Sequence, residues 1–299
     1  MCKECGCDGD SSTRIDDVLA KEIRSPLVGS RTHGGSGSSG HEGATHSQEH
    51  QHGDEGHHSL GEEHFHEHSH EEIESHLHKT VEINRPILEQ NDRIAERNRG
   101  FFLAKGIFVI NMLSAPGSGK TTLVFETARR LRGRLNIGVI VGDLATQNDA
   151  EVLRKASIPV VQVNTGMACH LDAEMVARSL AKLGCDGLDL LIIENVGNLV
   201  CPSLFDLGES KRVVLLSTTE GEDKPLKYPP LFHSADVAII TKKDLSQVVG
   251  FNRDYALENL KKISHHAIVF EVSAKTGEGM EQWCEYLASE CRKNSGKGH

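Results

Sequence analysis

The sequence predicts an α/β fold: a mostly parallel sheet covered by helices on both faces, preceded by a disordered Cys/His-rich N-terminal region. Three observations predict it. Short apolar runs alternate with amphipathic stretches from residue 107 to residue 291. A glycine-rich loop stands between the first run and the first of those stretches. The composition also changes near residue 79, from Gly, Ser, His and Glu to the mixture of a globular domain.

Taken in order, residues 1–30 are polar, with cysteines clustered at the start. Residues 31–78 carry too few apolar side chains to offset the entropy of ordering, so they read as disordered without metal. Residues 79–299 are the folded domain. It opens with a helix over residues 81–103, where Ile83, Ile87, Leu88 and Ile94 recur at helical spacing and Pro86 fits a first turn or a kink. Buried strands are expected at 107–113, 137–141, 160–163, 188–193, 213–216, 237–240 and 268–272. Helices are expected at 121–131, 149–156, 171–183 and 253–263, and a last one at 280–291 closes the chain. Continuous apolar runs, rather than alternating ones, are what strands covered on both faces require.

Charge and hydropathy exclude several classes. A formal net charge of −10 leaves nothing to offset nucleic-acid phosphates. No apolar run approaches the ~20 residues that span a bilayer. The N-terminus lacks the apolar core of a signal peptide, which points to the cytoplasm. There the eight cysteines are expected to be thiols or metal ligands rather than disulfides.

The loop reads L-S-A-P-G-S-G-K-T-T over residues 113–122, between a strand and a helix, the context of a phosphate-binding P-loop. Gly117, Ser118 and Gly119 turn backbone N–H groups toward phosphate oxygens. Lys120 supplies charge at the β/γ position, and Thr121, followed by Thr122, offers a hydroxyl to Mg²⁺. Ser114 stands where the general pattern has glycine, a departure that touches loop packing. Asp143 at one strand end, with Thr146 and Asp149 beyond it, could hold Mg²⁺ and sense the γ-phosphate. Glu194 at another is placed for a second Mg²⁺-linked acid or for positioning the attacking water. The plain alternative for each acid is a strand-end cap. T-K-K-D at 241–244 and S-A-K at 273–275 resemble guanine-reading segments. Asp244 can accept from guanine N1–H and the 2-amino group, Lys242 can cover a base face, and within the segment of Ser273, Ala274 and Lys275 the Ala274 backbone N–H can meet O6. These favour GTP and GDP over adenine nucleotides. Thr241 replaces the usual Asn, which puts local bracing in question.

Metal ligands fall in three clusters. Cys2, Cys5 and Cys7 can converge on one soft ion such as Ni²⁺. Residues 41–78 hold twelve histidines, ten acidic residues and no Lys or Arg. His57, His58, His64, His66, His68 and His70 there suit several Ni²⁺ or Zn²⁺ ions at modest affinity, a pattern of storage rather than catalysis. Cys169, His170 and Cys201 leave from strand ends on the nucleotide side and could share one ion, with a position open for water or a second subunit. A pair of buried cysteines with a surface histidine is the plain alternative. Cys185, Cys284, Cys291, His233, His265 and His266 read as ordinary residues.

Taken with C-x-x-C-G-C, S-A-P-G-S-G-K-T-T, G-D-x-x-T-x-x-D, C-H-L, E-N-V-G-N-L-V-C-P and S-A-K-T-G-E-G-M, the chain resembles the HypB family, nickel-incorporation GTPases of [NiFe]-hydrogenase maturation. The resemblance implies a dimerising P-loop GTPase related to UreG, with a slow, Mg²⁺-dependent activity in which Lys120, Asp143 and Glu194 take part. It implies a tight nickel site at Cys2, Cys5 and Cys7 and a weaker Ni²⁺ or Zn²⁺ site at Cys169, His170 and Cys201. A homodimer favoured by GTP, a small zinc-containing HypA-like partner and the precursor of a hydrogenase large subunit complete the expectation. Rival readings are a metal store built on the histidine tract, a chaperone for another metalloenzyme such as urease, and a small-molecule kinase, against which Asp244 argues.

Overall fold

A computed structural model of the chain describes residues 14–18, 70–143, 153–154, 158–166 and 168–296, with side chains from residue 86 onward except at 143. Cys2, Cys5, Cys7, His57, His58, His64, His66 and His68 lie outside the described residues, as do Thr146 and Asp149. Two units divide the chain: Met1–Ala20 with Glu82–His299, and Lys21–Val81. The first holds the whole sheet.

In chain order the elements are β1 (Arg14–Val18), α1 (His70–Lys105), β2 (Phe108–Leu113), α2 (Lys120–Leu131), β3 (Ile137–Asp143), β4 (Val160–Asn164), α3 (Ala173–Leu183) and β5 (Leu190–Glu194). Then come β6 (Lys211–Ser217), α4 (Lys224–Lys227), α5 (Pro229–His233), β7 (Val237–Thr241), α6 (Arg253–Ile263), β8 (Ile268–Glu271) and α7 (Met280–Ser295). The sheet order is β1-β4-β3-β5-β2-β6-β7-β8. Strands β2 to β8 run parallel and β1 is antiparallel to β4. All seven expected strands are present.

Alternation along each strand divides the core. In β2, Phe108, Ile110 and Met112 pack with α2 and α7, whereas Val109 packs with α1 and α3. Ile192 and its neighbours Leu191 and Ile193 split the same way in β5. A third cluster joins Val214, Leu216 and Ala238 to α5 and α6.

Three elements differ from the sequence reading. Strand β1 was not foreseen, because R-I-D-D-V has the acidic, short character of a loop; it forms by adding to the β4 edge, a long-range pairing. Helix α1 reaches back to His70, so Pro86 falls inside it rather than in its first turn. Residues 71–85 contain no Gly or Pro, and the helix continues through them at the cost of one backbone bond at Pro86. The helix expected at 149–156 lies outside the described residues apart from the helical pair Leu153 and Arg154, of which Leu153 is buried. No helix among the described residues is long and apolar enough to cross a membrane.

Helix α7 closes the core through Trp283, which is fully buried and donates from Nε1 to Thr127 Oγ1 of α2 at 3.0 Å. Thr127→Val keeps the volume and strands the indole N–H, so stability should fall by about 1–3 kcal/mol. Trp283 is the sole tryptophan, so its fluorescence in a urea titration reports the transition; an unchanged midpoint would refute the role of this bond.

Candidate functional site

The loop between β2 and α2 is shaped by two glycines in the left-handed region, Gly117 at φ 72° and Gly119 at φ 94°. A Cβ is disfavoured at either, and the two turns aim the first amides of α2 outward. Lys120, 8% exposed, donates from Nζ to Ser114 Oγ at 2.8 Å. Ser114 Oγ also meets Ser118 Oγ at 2.5 Å. The serine at the loop start is therefore not a matter of packing alone, since it holds the Lys120 ammonium. From the next position, Thr121 donates its hydroxyl to Glu194 Oε1 at 2.6 Å. Glu194 ends β5 and is 2% exposed. Two hard oxygen donors thus meet beside the loop, a donor set suited to Mg²⁺. Asp143 ends β3 as expected, but its side chain lies outside the described residues.

These groups line an open cleft of about 510 Å³ formed by Pro116 to Thr122, Gly142, Glu194 to Gly197, and Lys242. At its far side Thr241 Oγ1 donates to Ser118 O at 2.7 Å, so the bracing that the replaced Asn left in question is supplied by a hydroxyl. Lys242 holds φ 56°, the sole positive φ at a non-glycine among the described residues, and its Nζ reaches Gly117 O at 2.7 Å. Ser273 Oγ donates to Asp244 Oδ1 at 2.7 Å and accepts from Thr276 N at 3.1 Å. The two expected base-reading segments are thus brought side by side by the β7–β8 pairing. Ala274 is half-buried and Lys275 exposed, and neither they nor Asp244 line the cleft.

The second site lies on loops at the same strand ends. Ligand atoms of Cys169, His170 and Cys201 all lie within 4.8 Å of one another, with Cys169 Sγ to His170 Nδ1 at 3.8 Å. It is the one such grouping found among the described residues. Two thiolates and an imidazole at this spacing fit a tetrahedral soft ion with one position open. The His170 ring stacks on Phe205 with centroids 3.8 Å apart. Burial pushes its pKa below the usual imidazole range, against a smaller pull from Asp172. The neutral form, which is the ligand form, is thereby favoured. His70 opens α1, with its side chain outside the described set.

The remaining expected bystanders behave as such. Cys284 and Cys291 are buried, and burial pushes their thiols up to about 11 and about 12. Such thiols are unreactive at neutral pH. The rings of His233, His265 and His266 touch edge-on without converging on a common point.

Sequence reasoning missed the asparagines that set these loops. Asn91 Oδ1 accepts from Ala173 N at 2.9 Å, and Asn91 Nδ2 donates to Asp206 O at 2.8 Å. Asn98 Nδ2 donates to Ala173 O at 2.8 Å and Leu207 O at 3.2 Å. Helix α1 therefore fastens the chain just after His170 and just after Phe205. Ile87, Asn91, Ile94 and Asn98 form one helical stripe, and amides interrupting an apolar stripe were the available signal.

The family described as CobW/HypB/UreG, nucleotide-binding domain, matches residues 108–271. The chain is 48% identical over 209 residues to the hydrogenase maturation factor HypB of Azotobacter chroococcum mcd 1, covering 69% of this chain and 68% of that one. It is 40% identical over 223 residues to the hydrogenase/urease maturation factor HypB of Helicobacter pylori, covering 73% of this chain and 91% of that one. A crystal structure of HypB from Helicobacter pylori in complex with nickel superposes with TM-score 0.65 at 40% identity, covering 69% of this chain and 97% of that one.

Thr241→Val removes the hydroxyl that ties β7 to the phosphate loop. Nucleotide affinity, measured by displacement of a fluorescent guanine nucleotide, should fall by about fivefold, the worth of one buried hydrogen bond. Unchanged affinity would show that Thr241 does not support the loop.

Proposed function

The chain belongs to the HypB branch of the CobW/HypB/UreG family, and from that premise we propose that it is a GTP-hydrolysing nickel metallochaperone. It binds Ni²⁺ and passes it to the large-subunit precursor of a [NiFe]-hydrogenase, with transfer timed by nucleotide state and by a GTP-favoured homodimer. A HypA-like accessory protein is the expected partner and the cytoplasm the expected compartment. We assign residues 1–30 and 31–78 to metal capture and buffering, and residues 79–299 to the switch.

One observation carries this reading: the segment from Glu194 to Cys201 connects the two sites within one loop. Glu194 meets Thr121 in the cleft, and Cys201 belongs to the metal grouping. Gly197 lies between them, where an added Cβ would come within 3.0 Å of Pro116 Cα in the phosphate loop. A change at the phosphates therefore has a short covalent route to a metal ligand.

Mg²⁺, when bound, neutralises charge developing on the transferring phosphoryl group, and Thr121, Glu194 and Asp143 are the residues that would hold it. Lys120, held by Ser114, supports the β/γ oxygens. Asp244, oriented by Ser273, reads guanine. Among the described residues no side chain in the cleft is placed as a strong general base, so the activity rests on positioning and is slow. Ni²⁺ or Zn²⁺ is cargo at Cys169, His170 and Cys201. The crystallised relative with nickel, at 40% identity, supports the assignment. A relative named for urease as well as hydrogenase shows that one scaffold of this kind carries both names.

Ni²⁺ and Zn²⁺ titrations of the chain loaded with GDP or a non-hydrolysable GTP analogue test the switch. Affinity at the thiolate site should differ between the two states by about fivefold or more, and Cys169→Ala should abolish the difference. Equal affinities in both states would falsify nucleotide-timed transfer. Base choice has its own test. Asp244→Asn replaces an acceptor pair with a donor, so affinity for GTP should drop by about 100-fold or more while xanthosine triphosphate gains. Retained GTP preference would remove Asp244 from the base site.

A further inference from the structure

The cleft and the metal grouping share one side chain that is a ligand in neither. Asn195 follows Glu194 and is 1% exposed. Its Oδ1 accepts from Leu171 N at 3.1 Å and from Val196 N at 2.9 Å. Its Nδ2 donates to Asn111 Oδ1 at 3.2 Å. Asn111 Nδ2 in turn donates to Glu209 Oε1 at 3.2 Å, and Glu209 pairs with Arg212 at 2.8 Å. Leu171 is the residue after His170 and is fully buried.

This chain of bonds admits one orientation of the Asn195 amide. The carbonyl oxygen must face two N–H groups. The amino group must face an Asn111 oxygen that is itself fixed, because the Asn111 amino group faces a carboxylate. The amide cannot turn without stranding buried donors, which costs about 1–3 kcal/mol for each. A backbone bond from Asn195 N to Met112 O at 3.1 Å ties the same residue to the strand that feeds the phosphate loop.

We propose that Asn195 is the positioning residue through which nucleotide state sets the geometry at Cys169, His170 and Cys201. The proposal rests on the reading that the cleft takes GTP and the thiolate site takes nickel. A displacement of Glu194 moves the next peptide and, with it, the oxygen that holds Leu171 N–H. His170 is one peptide bond from that amide, so its ring shifts against Phe205 and against the two thiolates. Cys201 moves from the other end of the same loop. The two ligand segments thus respond together, and by thermodynamic linkage metal binding must act back on the cleft to the same extent. A contiguous network carries coupling only if the coupling is measured, and here it can be.

The test uses the full-length chain with Cys2, Cys5 and Cys7 changed to alanine, so that thiolate-to-nickel charge-transfer absorption reports the inner site. Ni²⁺ is titrated with GDP or a non-hydrolysable GTP analogue bound. With Asn195 present, the two affinities should differ by about fivefold or more. In Asn195→Ala the ratio should collapse to within about twofold, because Leu171 N–H loses its acceptor. Asn195→Asp, which keeps an oxygen toward Leu171 and Val196, should retain a larger ratio than the alanine variant. A native ratio in Asn195→Ala overturns the proposal and leaves the GTP–nickel reading standing. Equal affinities with Asn195 in place overturn the switch and this proposal together. Where the alanine variant does not fold, hydrogen exchange at the Leu171 amide of the native chain decides. Protection that differs between nucleotide states supports the link, and identical protection overturns it.

Discussion

The pairing of β5 with β2 is the constraint on which both sites depend. Met112 stands opposite Glu194 in the parallel register, so the strand that launches the phosphate loop and the strand that ends in the acid finish side by side. That register permits the bond between Thr121 and Glu194, two residues far apart in sequence. A slip of one residue would turn Glu194 into the core and an isoleucine into the cleft. The register is set by hydrophobic fit on both faces, since every residue of β2 and β5 is buried. Nucleotide chemistry at the strand ends is therefore fixed by apolar packing far below it.

Above the sheet the loops are held by buried amides as well as by the apolar contacts of Leu171, Leu199 and Leu207. Asn91 and Asn98 reach from α1 to the backbone just after His170 and just after Phe205, and Asn195, itself fixed by Asn111, holds the Leu171 N–H from the end of β5. Buried amides are costly when unmatched and directional when matched. A loop held in this way has few alternative positions, which suits a metal site whose ligands must meet within a few tenths of an ångström. It also suits a switch, because a small movement breaks a defined bond instead of sliding across a greasy surface.

Much of this was legible in the sequence. The seven parallel strands follow from continuous apolar runs, which only two-sided burial explains. The phosphate loop follows from glycine spacing between a strand and a helix, and the meeting of Cys169, His170 and Cys201 from the rule that parallel strand ends share one edge. What was not legible depends on contacts across long sequence separations. Strand β1 exists by virtue of the β4 edge, not by its own pattern. Ser114 looked like a departure from a motif until Lys120 was seen bonded to it, and Thr241 looked like a weakening until Ser118 O was found opposite. Asn195 lies inside a motif read for its acid and its cysteine. Its amide acquires meaning only when Leu171, distant in sequence, is placed beside it.

The three side chains of the Cys169, His170 and Cys201 grouping are unequally placed. His170 is 8% exposed and clamped against Phe205, whereas Cys169 and Cys201 are half-exposed. Cys201 opens a single turn of 3₁₀ helix, Cys201–Leu204, whose flanking apolar side chains Val200 and Leu204 stand 57% and 58% exposed. A structural zinc site would close all four positions with buried ligands. Here His170 is the buried member, Cys169 and Cys201 are partly exposed, and the described grouping offers three side chains rather than four. An ion held there would have His170 as its buried donor and Cys169 and Cys201 as the donors within reach of an incoming ligand. Val200 and Leu204, both more than half exposed, leave an apolar surface beside Cys201. The same loop carries Glu194 at its other end, so Cys201 and the acid that meets Thr121 belong to one short segment.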